Sequence, residues 1–140
     1  MRLLTIFSVL MLSISCSSTK NTKIKADDLN GAWIPIQQEI AGKQLPAAAF
    51  EKQKLIISDN TYTLMAESVD KGEVNYSNGK MDIYGKEGVN TGKHFTAIYK
   101  YENGQLTLCY NLAGDSYPET FETTNKPTFF LSVFKRETTK

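Results

Sequence analysis

Leu29-Asn30-Gly31-Ala32-Trp33 opens the first strand-forming stretch of this chain and carries its only tryptophan, two residues after a glycine. Taken alone the pair says little, because a tryptophan on a half-buried strand is accounted for by burial. The residues after it decide the fold.

Downstream of Trp33, β-branched and aromatic residues are grouped between turn residues with almost no helical periodicity. This pattern predicts eight strands, at 32–40, 53–58, 61–67, 73–77, 80–84, 94–102, 105–111 and 128–136. One short helix is expected between the first two, with Pro46 at its first position and residues 47–52 next. Asp59-Asn60, Asn78-Gly79 and Asn103-Gly104 read as two-residue hairpin turns, the last two suited to the positive φ of type I′ geometry. The other connections, 41–52, 68–72, 85–93 and 112–127, are longer. In an up-and-down meander successive connections alternate between ends, so the tight turns share one end and the long loops the other. The expected fold is therefore an all-β, eight-stranded up-and-down antiparallel β-barrel with a closed floor and a loop-rich mouth. A Greek-key sandwich is the alternative that strand pattern alone leaves open.

A barrel of eight strands is either filled by side chains or holds one small ligand. Phe95, Ala97, Tyr99 and Tyr101 share one face of their strand, and Leu106, Leu108 and Tyr110 share one face of the next. The first strand conflicts with itself. If Trp33 points inward, so do Gln37 and Glu39, unless Pro35 marks a bulge that switches faces.

Upstream of Leu29 the chain changes character. Arg2, an apolar run from Leu3 to Leu12 and Ser13-Ile14-Ser15-Cys16 have the layout of an export signal. The apolar run is shorter than the roughly 20 residues a spanning helix needs. The cysteine after a small residue resembles the bacterial lipobox, with Ser13 where leucine is common; this implies acylation at Cys16 and a new N-terminus there. The expected organisation is signal peptide 1–15, lipidated tether 16–28 and barrel domain 29–140. The tether is polar and buries no face. The implied address is the bacterial cell envelope, at the outer membrane or the periplasmic face, through a membrane anchor on Cys16.

Removing Arg2 with the signal cancels the excess of 16 basic over 15 acidic residues, so the mature chain is neutral and makes no electrostatic case for nucleic acid. With Cys16 acylated, Cys109 has no disulfide partner and stability rests on the core.

Beyond the entry stretch, Gly42-Lys43-Gln44-Leu45-Pro46, Lys54-Leu55-Ile56-Ile57, Gly88-Val89-Asn90-Thr91-Gly92-Lys93, Ala97-Ile98-Tyr99 and Leu106-Thr107-Leu108-Cys109-Tyr110 carry a resemblance. In order and spacing the chain resembles a bacterial family of lipocalin-like domains first collected from planctomycete sequences. The resemblance implies that Gly31 bends the backbone into the barrel floor, Trp33 plugs it, and a basic residue ending the last strand, here Arg136, lies across the indole. The chain departs from the family pattern in its last long loop, with Tyr117-Pro118 where arginine before proline is common. The family brings a fold and no activity.

His94 is the only histidine and has no spaced cysteine beside it, which argues against a metal site of the usual nitrogen and sulfur ligands. No hydrolase elbow, phosphate-cradling loop or dinucleotide fingerprint occurs. Neither a catalytic residue nor a cofactor is expected. Cys109 reads as a small buried hydrophobe. Candidate ligand-binding residues are Glu39, either inside the barrel or solvated outside it, the tyrosines Tyr62, Tyr99, Tyr110 and Tyr117, and Phe121. Leu45 and Phe50 are further large side chains expected at the mouth. Two functions fit. One is a lipid-anchored barrel binding a small, partly apolar ligand; the other is a filled barrel acting as an interaction or inhibitor module for an envelope protein.

Overall fold

A computed structural model describes residues 29–138. The signal, the tether and the acylation expected at Cys16 lie outside the described residues. The strands are β1 (Gly31–Ile40), β2 (Lys43–Gln44), β3 (Lys54–Ser58), β4 (Thr61–Met65), β5 (Val69–Ser77), β6 (Lys80–Glu87), β7 (His94–Glu102), β8 (Gln105–Asn111) and β9 (Phe129–Arg136). From β3 to β9 each strand pairs antiparallel with the next in sequence, and β1 pairs with both β3 and β9. The result is a closed up-and-down barrel of eight strands, with β2 as a two-residue flap on the end of β1. The Greek-key alternative is excluded by this order.

The expected helix is only a 3-10 turn, Ala47–Ala49. Pro46 precedes it in extended conformation, and Gln53 is already at the edge of β3, so the segment has no room for an α-helix. Ahead of it, Ala41 (φ 50°) and Gly42 (φ 79°) turn β1 into β2. An alanine in this left-handed region gives no local signal for the hairpin.

The floor forms where the hairpins are tight. Asn78-Gly79 and Asn103-Gly104 both have positive φ at each residue, as type I′ turns require. Above them, Trp33 is fully buried and packs edge-on to Tyr101 with ring centroids 5.7 Å apart, while Tyr76 and Tyr99 make a second edge-on pair at 5.9 Å. The Trp33 indole N–H donates to the Leu29 carbonyl at 2.9 Å, which satisfies the ring's polar group inside this core. A Cβ at Gly31 would lie 2.8 Å from the Arg136 guanidinium, on a backbone with φ of 134°. Glycine is what lets the chain enter under that side chain.

The conflict along β1 is resolved by a bulge. Pro35 faces Phe134 on β9 and Gln37 faces Val133, leaving Ile36 as the extra residue. Before it Trp33 and Pro35 are buried; after it Gln38 and Ile40 point inward and Glu39 points out.

The last long connection, 112–128, does not stand up as part of the mouth. It folds down over the outer wall of β6 to β9 and β1. The Thr96 hydroxyl donates to the Ser116 carbonyl at 2.6 Å, the Tyr117 hydroxyl donates to Asp82, and the Lys100 ammonium lies 4.9 Å from the Phe121 ring centroid. Farther on, the Thr123 hydroxyl donates to Glu39 and accepts from the Gly42 N–H at 2.8 Å. Outward-facing Cys109 and Leu131 are buried beneath this loop, which makes a second small core outside the barrel.

Candidate functional site

Aromatic side chains fill the floor, but the upper half of the barrel holds a cavity of about 660 Å³ that opens at the end away from Trp33. This volume falls within the usual range of about 300–1,000 Å³ for ligand pockets. Its depth is apolar: Ile57, Val74, Met81, Ile83, Leu108 and Phe134 line it. These are the inward residues of period-2 strands, so the pattern that builds the barrel also makes its inner surface greasy. Near the opening Leu64, Phe95, Leu112 and Phe130 continue the apolar wall.

Two polar groupings interrupt it. On one side Asp70 of β5, only 4% exposed, accepts from the Tyr62 hydroxyl at 3.0 Å and from the Asn90 backbone and side-chain nitrogens at 3.1 and 2.9 Å. This carboxylate pins the 88–93 loop to the rim. Gly85 permits the loop's approach to β6, since a Cβ there would lie 1.8 Å from the Asn90 carbonyl oxygen. Burial, followed by the hydrogen bond to Asp70 and its charge, pushes the Tyr62 hydroxyl well above the usual tyrosine range. Lys93, exposed at the rim, lies 3.4 Å from the Asn90 side-chain oxygen.

On the other side Gln38, 3% exposed, donates to Gln53 at 2.8 Å and approaches the Ser132 hydroxyl at 3.4 Å. Strand register puts Gln38, Ser132 and Leu108 in one inner row, with Ile40, Phe130 and Tyr110 in the row nearer the mouth. Tyr110 stacks obliquely on Phe130, ring centroids 5.7 Å apart. Burial first, and Tyr62 second, push its hydroxyl above the tyrosine range, so it is a proton donor at any ordinary pH.

Of the residues expected to bind ligand, the structure brings Tyr62 and Tyr110 together in the cavity. The other four lie elsewhere. Tyr99 faces inward but packs on Tyr76 below the cavity. Glu39 is on the outer face, bonded to Thr123 and, at 2.7 Å, to Gln44, because the Ile36 bulge reverses the alternation. Tyr117 and Phe121 lie on the outer wall with the 112–128 loop, although the length of that loop predicts a place at the mouth. Phe50 is buried yet does not line the cavity. Asp70, Asn90, Gln38 and Gln53 are polar lining residues that the sequence reading misses. For Asp70 a signal exists: Asp70, Gly72, Val74 and Tyr76 alternate with exposed residues through β5, which begins four residues earlier than composition indicates.

His94 sits on the outside, its Nε2 2.7 Å from Asp82 Oδ1 and its ring stacked on Tyr84. Among the described residues no group of three or more His, Cys, Asp or Glu is placed to hold a metal ion. Comparisons with protein-family models, with curated proteins and with solved structures found no match, so the cavity's own geometry is what bears on function.

Proposed function

We propose that this protein is a lipid-anchored lipoprotein of the bacterial envelope whose lipocalin-like barrel captures a small, partly apolar molecule through its open end. The observation that carries the reading is the apolar cavity of about 660 Å³ above a sealed aromatic floor. A module that works only through its outer surface has no need of such a space, and close packing would ordinarily fill it. The filled-barrel reading, with an envelope protein as partner, is the weaker one for that reason. Anchoring through acylated Cys16 is supported by the export-signal layout of residues 1–16.

The test of capture is fluorescence enhancement of 1-N-phenylnaphthylamine by the purified mature protein. Saturable binding of one probe per chain is expected, and Ile83→Trp, which fills the cavity, should abolish it while leaving the melt cooperative. A folded wild type that does not enhance the probe overturns the proposal. Anchoring is tested separately by metabolic labelling with a fatty-acid analogue, which should mark the wild type and leave Cys16→Ala unmarked.

A further inference from the structure

Among the polar groups of the cavity, one is left without a partner. The Asp70 carboxylate already accepts three hydrogen bonds, Gln38 is engaged with Gln53, and Asn90 is tied to Asp70. The Tyr110 hydroxyl has no hydrogen bond among the described residues, although its ring is held against Phe130 and its side chain lines the cavity. Because no fully buried side-chain oxygen or nitrogen among the described residues lacks a partner, this unbonded hydroxyl faces the open space of the cavity, where a ligand oxygen can accept its proton. Tyr62 lines the same cavity, and its hydroxyl, which donates to Asp70, still has an acceptor position.

The charged groups around the cavity point the same way. Asp70 and Lys93 are the two that line it, one of each sign; the first accepts from Tyr62 and twice from Asn90, and the second is exposed at the rim. An anion lying deeper would meet no buried cation, and the Asp70 charge is turned toward Tyr62 and Asn90 beside the 88–93 loop, so a charge placed among Ile57, Met81 and Leu108 has nothing facing it. An uncompensated charge is the costliest thing to place in an apolar space. Resting on the capture reading above, we infer that the cavity selects an uncharged apolar molecule bearing a hydroxyl or carbonyl oxygen, which accepts the Tyr110 proton. Tyr110 thereby sets the depth and orientation of the ligand, while the apolar body fills the space between Ile57, Met81 and Leu108.

The experiment displaces 1-N-phenylnaphthylamine from the mature protein with an eight-carbon series: 1-octanol, 2-octanone, octane, octanoate and octylammonium. In the wild type octanol and octanone should displace the probe at concentrations at least tenfold below those needed for octanoate and octylammonium. Tyr110→Phe, which keeps the ring and its packing on Phe130, should weaken octanol and octanone about 2- to 12-fold, the worth of one neutral hydrogen bond, and leave octane unchanged. An equal effect of Tyr110→Phe on all five, or none on any, overturns the assignment. So does octanoate as the tightest competitor with its advantage removed by Lys93→Gln, which would put an anionic head at the rim. Failure of the probe to bind at all removes the capture reading itself, and is distinguished from these outcomes before any competitor is added.

Discussion

The guanidinium of Arg136 lies over the Trp33 indole, 4.3 Å from its centroid, and donates to the Asn30 carbonyl at 2.6 Å. The two residues are also directly paired across β1 and β9, so one side chain covers the floor at the seam where the barrel closes. Arg136→Ala removes a cation–π contact of about 0.5–2 kcal/mol and a charged hydrogen bond of about 1.5–3 kcal/mol. Part of the second figure is offset by water reaching the half-exposed site, and a net loss of about 1–3 kcal/mol in urea unfolding is expected. Arg136→Lys should recover only part of it, because an ammonium cannot lie flat on the indole. A variant as stable as wild type would show that the seam is held elsewhere.

The outer loop is fastened by a pH-sensitive clasp. Burial pushes the Asp82 carboxyl up, but hydrogen bonds from Tyr117 and His94, with the His94 charge, outweigh it and hold Asp82 below the usual carboxylate range. Tyr117 is pushed up, first by that same hydrogen bond. A depressed carboxylate stabilises fully above its unfolded value of about 3.9 and loses the effect as pH falls through the lower folded value. A raised tyrosine stabilises fully below about 10 and loses the effect as pH rises through its folded value. The stability difference between wild type and Asp82→Asn should therefore shrink on the acid side below about 4, as the carboxylate is protonated. A difference that grows in acid would contradict the assignment.

Cys109 is fully buried on the outward side of β8, and burial pushes its thiol up to about 11, with Lys126 working against the shift and Glu39 adding to it. It should react with a disulfide reagent at mildly alkaline pH only when the 112–128 loop opens. The reaction rate should rise steeply in Tyr117→Phe, which loses the bond to Asp82, and remain slow in Tyr110→Phe. Equal rates in both would separate thiol access from the loop.

Phe50, 7% exposed but outside the cavity, is a packing residue of the first connection. Phe50→Ala should cost about 3–5 kcal/mol, as large-to-small core changes do, without changing probe affinity in the folded fraction. Phe121→Ala, which removes a half-exposed ring beneath Lys100, should cost about 0.5–1 kcal/mol beyond the lost burial of the ring. Reduced affinity in either folded variant would return these residues to the ligand.

What the chain declares locally, it declares well. Asn78-Gly79 and Asn103-Gly104 specify tight turns because few other pairs accept two positive φ angles, and alternation over 94–102 and 105–111 gives strands with the boundaries observed. Up-and-down order is implied by those turns, whereas Gly31 and Trp33 point to the floor only through the family resemblance, since the reason for the glycine, the Arg136 side chain above it, comes from the far end of the chain. The facing of Glu39 depends on whether β1 slips by one residue against β9, and only the paired strand fixes that at Ile36. Tyr117 and Phe121 could go up or down from the end of β8, and the choice fell to Asp82 and Lys100 on strands far away in sequence. Asp70 and Asn90 meet across twenty residues through a glycine that admits the loop, and Tyr110 is left alone by what surrounds it. Strand and turn are short-range preferences of the backbone, readable residue by residue; which side chains share a cavity depends on register and loop path, which exist only once the sheet has closed on itself.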